Sequence, residues 1–128
     1  MTPTELQKLA KRMRDIIDLA RHNCANDPYV TRDLRPDVEI TLRYDVAADR
    51  YVLFVRSQAA YPTPDDIAAV ARAFGLDPDT ILPDHYRTEE RHAVTGRRFH
   101  WHTARIQWRD RPARRFSAAT PFTAPCEA

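Results

Sequence analysis

Residues 38–56 constrain this chain more tightly than any other stretch. Val38, Ile40, Leu42 and Tyr44 alternate with Glu39, Thr41, Arg43 and Asp45, the period of a strand with one buried face. Residues 46–49 suit a hairpin loop, and closing the chain there sets Asp45 against Arg50. That register places Tyr44 opposite Tyr51, Leu42 opposite Leu53 and Ile40 opposite Val55 on one face, with Glu39 opposite Arg56 on the other. Apolar pairs on one side and opposite charges on the other satisfy a half-buried antiparallel pair. A slip of one residue would carry every apolar side chain to the wrong face.

Two helices are written as clearly by their caps. Thr2-Pro3-Thr4-Glu5 has the form of a capping box, with proline at the first helical position. Leu6, Leu9, Ala10, Met13, Ile16, Ile17 and Ala20 then recur at helical spacing, predicting a helix over residues 3–23 that Asn26-Asp27-Pro28 stops. Thr63-Pro64-Asp65-Asp66 starts a second helix, whose acidic first turn suits the helix dipole and whose stripe is Ile67, Val70, Ala71 and Phe74. Gly75 followed by Leu76 reads as a Schellman end, and residues 77–82 as one further capped turn stopped by Pro83.

The remaining segments are less regular. Residues 25–36 hold two prolines and little periodicity, predicting a loop with a short extended piece at Tyr29-Val30. Residues 85–94 and 98–108 predict a second hairpin turning at Thr95-Gly96. The expected fold is a single α+β domain over residues 1–110, in the order α-β-β-α-β-β. Its antiparallel sheet comprises two hairpins with the helices packed on one face, two separate two-stranded layers being the alternative. Residues 111–128 are an irregular Pro/Ala/Arg-containing tail, for which Phe116 or Phe122 offers a docking point.

Composition excludes several function classes. The chain has 128 residues and only two glycines, so no glycine-rich phosphate loop can be written. Neither of its serines, Ser57 and Ser117, lies in a nucleophile elbow. Glu89 and Glu90 are adjacent on a strand and point to opposite faces, so they form no acid-base pair, and catalysis finds little support. Cys24 and Cys126 make no disulfide framework and no CxxC motif, which fits a reducing cytoplasm. No apolar run approaches a membrane span, and the polar N-terminus shows no signal peptide. No cofactor is expected.

The informative feature is charge polarity. Net charge is only +2. Residues 61–84 nevertheless carry Asp65, Asp66, Asp77, Asp79 and Asp84 against Arg72 alone, while residues 97–116 carry seven arginines against Asp110 alone. Those arginines interleave with Phe99, Trp101, Trp108 and Phe116, the combination of cations and aromatic platforms that nucleic-acid surfaces use. The expected interface is Arg97, Arg98, Trp101, Arg105, Trp108, Arg109, Arg111, Arg114 and Arg115, on a non-enzymatic binding protein that contacts nucleic acid mostly through phosphate. Core aromatics and a solvated arginine face, paired in part with the aspartates of 61–84, are the plainer account of the same residues. Residues 67–81 have the outline of a helix-turn-helix, but Pro83 stops the would-be recognition helix after one turn.

Two further readings stand beside that one. The first is a protein-interaction module, an accessory subunit or inhibitor, or a self-associating dimer using a sheet edge. The second is a metal-binding hairpin. If Val94 pairs with Arg98, then Glu90, His92, His100 and His102 share a face as an N₃O set. If Ala93 pairs with Arg98, the set dissolves, leaving histidines on a solvated polar face.

Overall fold

The computed structural model describes residues 1–23 and 26–110. Its elements are α1 (Pro3–Arg21), β1 (Tyr29–Arg35), β2 (Val38–Asp45), β3 (Arg50–Ser57), α2 (Pro64–Ala73), β4 (Asp84–Arg91) and β5 (Arg98–Trp108). The order is therefore α-β-β-β-α-β-β. The five strands form one antiparallel sheet in the order β1-β2-β3-β5-β4. The cysteines and the arginines beyond Asp110 lie outside the described residues.

The β2–β3 register is the one that matching both faces requires. Asp45 meets Arg50, Tyr44 meets Tyr51, Leu42 meets Leu53, Ile40 meets Val55 and Glu39 meets Arg56. Arg56 and Glu39 form an ion pair at 2.6 Å on the outer face. The apolar face of this hairpin joins Ala104 and Ile106 of β5, Leu6, Leu9, Met13 and Ile17 of α1, and Ile67 and Val70 of α2 in a single buried cluster. Met13, Ile17, Ile40, Leu42, Leu53, Val55 and Val70 are completely buried.

The helix ends carry the expected chemistry. Thr2 Oγ1 accepts from the Glu5 amide while Glu5 Oε1 accepts from the Thr2 amide, the two halves of a capping box. The Thr63 hydroxyl accepts from the Asp66 amide. At the other end of α2 the Leu76 amide donates to the Ala71 carbonyl and the Gly75 amide to Arg72, with Gly75 at φ 80°. These are the two bonds of a Schellman motif, which needs a left-handed residue at that point. No helix among the described residues is long and apolar enough to cross a membrane.

Two expectations are corrected. First, residues 29–35 are a full strand rather than a loop, giving five strands instead of four. Pro28 and Pro36 flank the strand without interrupting it, and the Thr31 and Thr41 hydroxyls hydrogen-bond at 2.8 Å across the ladder. Its core face carries only Val30 before the register shifts between Asp33 and Arg35. An edge strand this sparsely apolar leaves almost no period-two signal. Second, the β4–β5 hairpin closes through residues 92–97, a longer turn than expected, with Arg91 opposite Arg98. His92 organises that turn. Its Nδ1 accepts from the Val94 and Thr95 amides, its carbonyl accepts from Gly96, and its amide donates to Arg97. Neither of the two anticipated registers is realised.

Candidate nucleic-acid interface

The site follows from how far the two halves of the sheet overlap. β3 pairs with β5 only from Tyr51↔Trp108 to Ser57↔His102. β4 and β5 continue pairing beyond that point to Arg91↔Arg98. Among the described residues, 88–101 therefore leave the sheet as a two-stranded arm with no third strand and no buried core beneath it. Every β4 residue except half-buried Tyr86 is exposed.

Strand alternation gives the arm two different faces. On the side continuous with the core lie Arg87, Glu89, Arg91, Arg98 and His100, with His102 at the root. Glu89 is the one carboxylate there, and Arg98 engages it at 3.3 Å. Arg87 and Arg91 make no ion pair among the described residues, and exposed Arg97 adds a further cation in the turn. This face is basic. At the root, Tyr61 packs edge-on against His102 and His85, with ring centroids 5.0 and 5.8 Å away.

The opposite face is aromatic and carries charges of both signs. Trp101 and Phe99 pack edge to face at 6.1 Å. Trp101 Nε1 donates to Glu90 at 2.7 Å, and the Arg56 guanidinium sits 3.9 Å from its ring centroid. Arg56 is itself held by Glu39, while Glu90 serves as the acceptor for the indole N–H. Further along this face Arg105 donates to Asp84 at 2.8 Å. A groove of about 290 Å³ beside Trp101 is lined by Asp33, Asp37 and Glu39 and so opposes anions.

The structure thus divides the residues the sequence nominated. Arg97 and Arg98 belong to the arm and its basic face, and Trp101 to the arm's aromatic face. Arg105 lies on the outer face of the sheet, paired with Asp84. Trp108 is on the core side, stacked on Tyr51 at 5.4 Å and tilted against Phe74, so its ring is occupied by packing. The Arg109 guanidinium donates to the Ala48 and Asp49 carbonyls, tying the chain end to the β2–β3 turn. Arg111, Arg114 and Arg115 lie outside the described residues. Glu90 points away from His100 and His102, and His92 is turned into its own loop, so the proposed N₃O set does not converge. No group of three or more metal-ligating side chains occurs among the described residues.

Sequence reasoning missed Arg87 and Arg91. The signal was present in the alternation D-H-Y-R-T-E-E-R, whose odd positions are His85, Arg87, Glu89 and Arg91. Without the register, nothing joined them to Arg98. No known protein family, curated protein or solved structure matches this chain.

Proposed function

We propose that this protein binds nucleic acid through the phosphate backbone, using the basic face of the β4–β5 arm. The observation that carries the reading is the gathering of Arg87, Arg91 and Arg98, with Arg97 at the tip, on a ribbon that has left the sheet and faces a single carboxylate. Guanidinium groups match phosphate oxygens in a planar, bidentate manner. A free two-stranded ribbon is also narrow enough to follow a groove of a duplex. The aromatic face of the arm has a supporting role. Glu90 and Arg56 pin the Trp101 indole and so stiffen the ribbon that presents the arginines.

Electrostatic binding of this kind releases condensed counterions, so affinity falls steeply with salt. The test is fluorescence anisotropy of a labelled oligonucleotide across a salt series, with wild type, an Arg87→Ala/Arg91→Ala/Arg98→Ala variant and Arg109→Ala. The triple variant should lower the slope of log K against log salt by about 2–3, roughly one unit for each phosphate no longer neutralised. Arg109→Ala should leave the slope unchanged, since that guanidinium is already engaged by backbone carbonyls. Absence of binding at low salt, or a triple variant indistinguishable from wild type, overturns the reading.

A further inference from the structure

We propose that two copies of this chain associate by antiparallel pairing of β4 with β4, about a two-fold axis through Thr88. Among the described residues the sheet has two free edges, β1 and β4. β1 is blunted by a register shift between Asp33 and Arg35 and by Pro28 and Pro36 at its ends, devices that discourage edge pairing. β4 has a proline, Pro83, only before its first residue. Its ladder with β5 runs without a break from Asp84 to Arg91, and its other edge pairs with no strand among the described residues. Such an edge is a template for another strand unless its side chains forbid it.

The side chains select one register. A two-fold axis perpendicular to the sheet keeps each face on its own side, so the axis must pass through a residue. Centring on Arg87 would set Arg87 against itself and Asp84 against Glu90. Centring on Glu89 would set Glu89 against itself and Arg87 against Arg91. Centring on Tyr86 would leave every carboxylate without a cationic partner. Centring on Thr88 sets Arg87 of each copy against Glu89 of the other, Thr88 against Thr88 and Tyr86 against Glu90, with His85 against Arg91 towards the strand ends. Directly opposed unlike charges and threonine pairs are favourable cross-strand neighbours, and directly opposed like charges are not.

This association does not depend on nucleic acid, although it would place two basic arm faces side by side.

Size-exclusion chromatography with light scattering at high micromolar concentration tests it, and wild type should have the mass of two chains. Arg87→Glu and Glu89→Arg should each be monomeric, because each opposes like charges across the axis. An equimolar mixture of the two should recover the dimer, since every glutamate then faces an arginine. Both positions are exposed and outside the core, and circular dichroism confirms that each variant folds. In a Cys24→Ser/Cys126→Ser background, Thr88→Cys should oxidise to a covalent dimer, because directly paired antiparallel residues lie within disulfide range. Asp33→Cys on the other edge should not. A monomeric wild type, single variants that stay dimeric, a mixture that fails to recover, or no cross-link through position 88 each overturns the proposal.

Discussion

The β2–β3 and β4–β5 hairpins are built from the same antiparallel ladder in the same sheet, yet they are held in different ways. In the first, Ile40, Leu42, Leu53 and Val55 are wholly buried and the opposite face carries the Glu39–Arg56 pair. In the second, no residue of the projecting part is fully buried, only Phe99, His100 and Trp101 are half-buried, and cohesion comes from backbone pairing, the ion pair at Glu89 and the contacts of Trp101 with Phe99, Glu90 and Arg56. Burial fixes the first hairpin in place and occupies its side chains. The second keeps its side chains available at the expense of local stability. That division is what a binding arm on a rigid base requires.

The largest expected effect measures the division directly. Leu53→Ala removes a fully buried side chain from the centre of the sheet and should cost about 2–5 kcal/mol in urea denaturation. Arg91→Ala, at the end of the arm, should shift stability by no more than about 0.5 kcal/mol, as surface substitutions do. If the arm substitution proved as costly as the core one, the arm would be part of the folding unit and the contrast would collapse.

The base has a polar lock of its own, and it gives the second prediction. Tyr51 Oη donates to the Asp18 carboxylate and accepts from Arg21 Nη1 at 2.8 Å. Arg14 donates to the same Asp18 at 3.0 Å and lies 4.1 Å from the Tyr51 ring centroid. Beside it the Tyr44 hydroxyl donates to Asp49. Burial, then the hydrogen bond to Asp49, pushes the Tyr44 hydroxyl up to about 12. Burial, then the bond to Asp18, pushes Tyr51 higher still. Both folded values lie above the ordinary 10.0, so the folded state holds these protons more tightly than the unfolded chain does. The stabilisation is complete below that value and is lost as pH rises through the folded ones. Denaturation followed against pH should show stability falling above about 10. Tyr51→Phe should flatten part of that fall. At neutral pH the same substitution should cost about 1–3 kcal/mol, because Asp18 and Arg21 each lose a partner in a half-buried setting.

The same contrast explains what could be read in advance. The β2–β3 register was legible to the residue because two independent patterns, apolar on one face and ionic on the other, agree only once. The caps at Thr2 and Thr63 and the stop at Gly75-Leu76 were legible because each is a local device whose partners lie within a few residues. β1 was not, because the evidence for it lies in β2, through the Thr31–Thr41 contact and the ladder, rather than in its own sequence. The β4–β5 register was not legible either. With no buried face to satisfy, several pairings have similar merit, and the choice falls to His92, whose ring nitrogen collects two loop amides. A cluster that looked like metal ligands was therefore a turn-organising histidine and residues on opposite faces. For the same reason Arg87 and Arg91 could not be joined to Arg98. Trp108 was misread because an aromatic between arginines looks the same in sequence whether it faces Tyr51 or solvent.

The smallest expected effect separates the regions most finely, because it applies one chemical change to both. Gly75 and Gly96 sit at φ 80° and 70°, and an added Cβ at either meets no atom within 4 Å. Substitution by alanine is therefore opposed by backbone conformation alone, roughly 1 kcal/mol at each site. At Gly75 the strain falls on the end of α2, whose Leu76 packs against the core, and global unfolding should become easier by about that amount. At Gly96 the strain falls on a turn beyond the last buried residue. The arm can relieve it by opening locally while the base stays folded. Gly96→Ala should leave the denaturation midpoint unmoved while amide exchange in residues 88–101 quickens about fivefold, the equivalent of roughly 1 kcal/mol. Equal global losses at both glycines would mean that the arm and the base unfold as one. Unequal losses with selective exchange would show that the basic face rides on a segment able to move independently of its core.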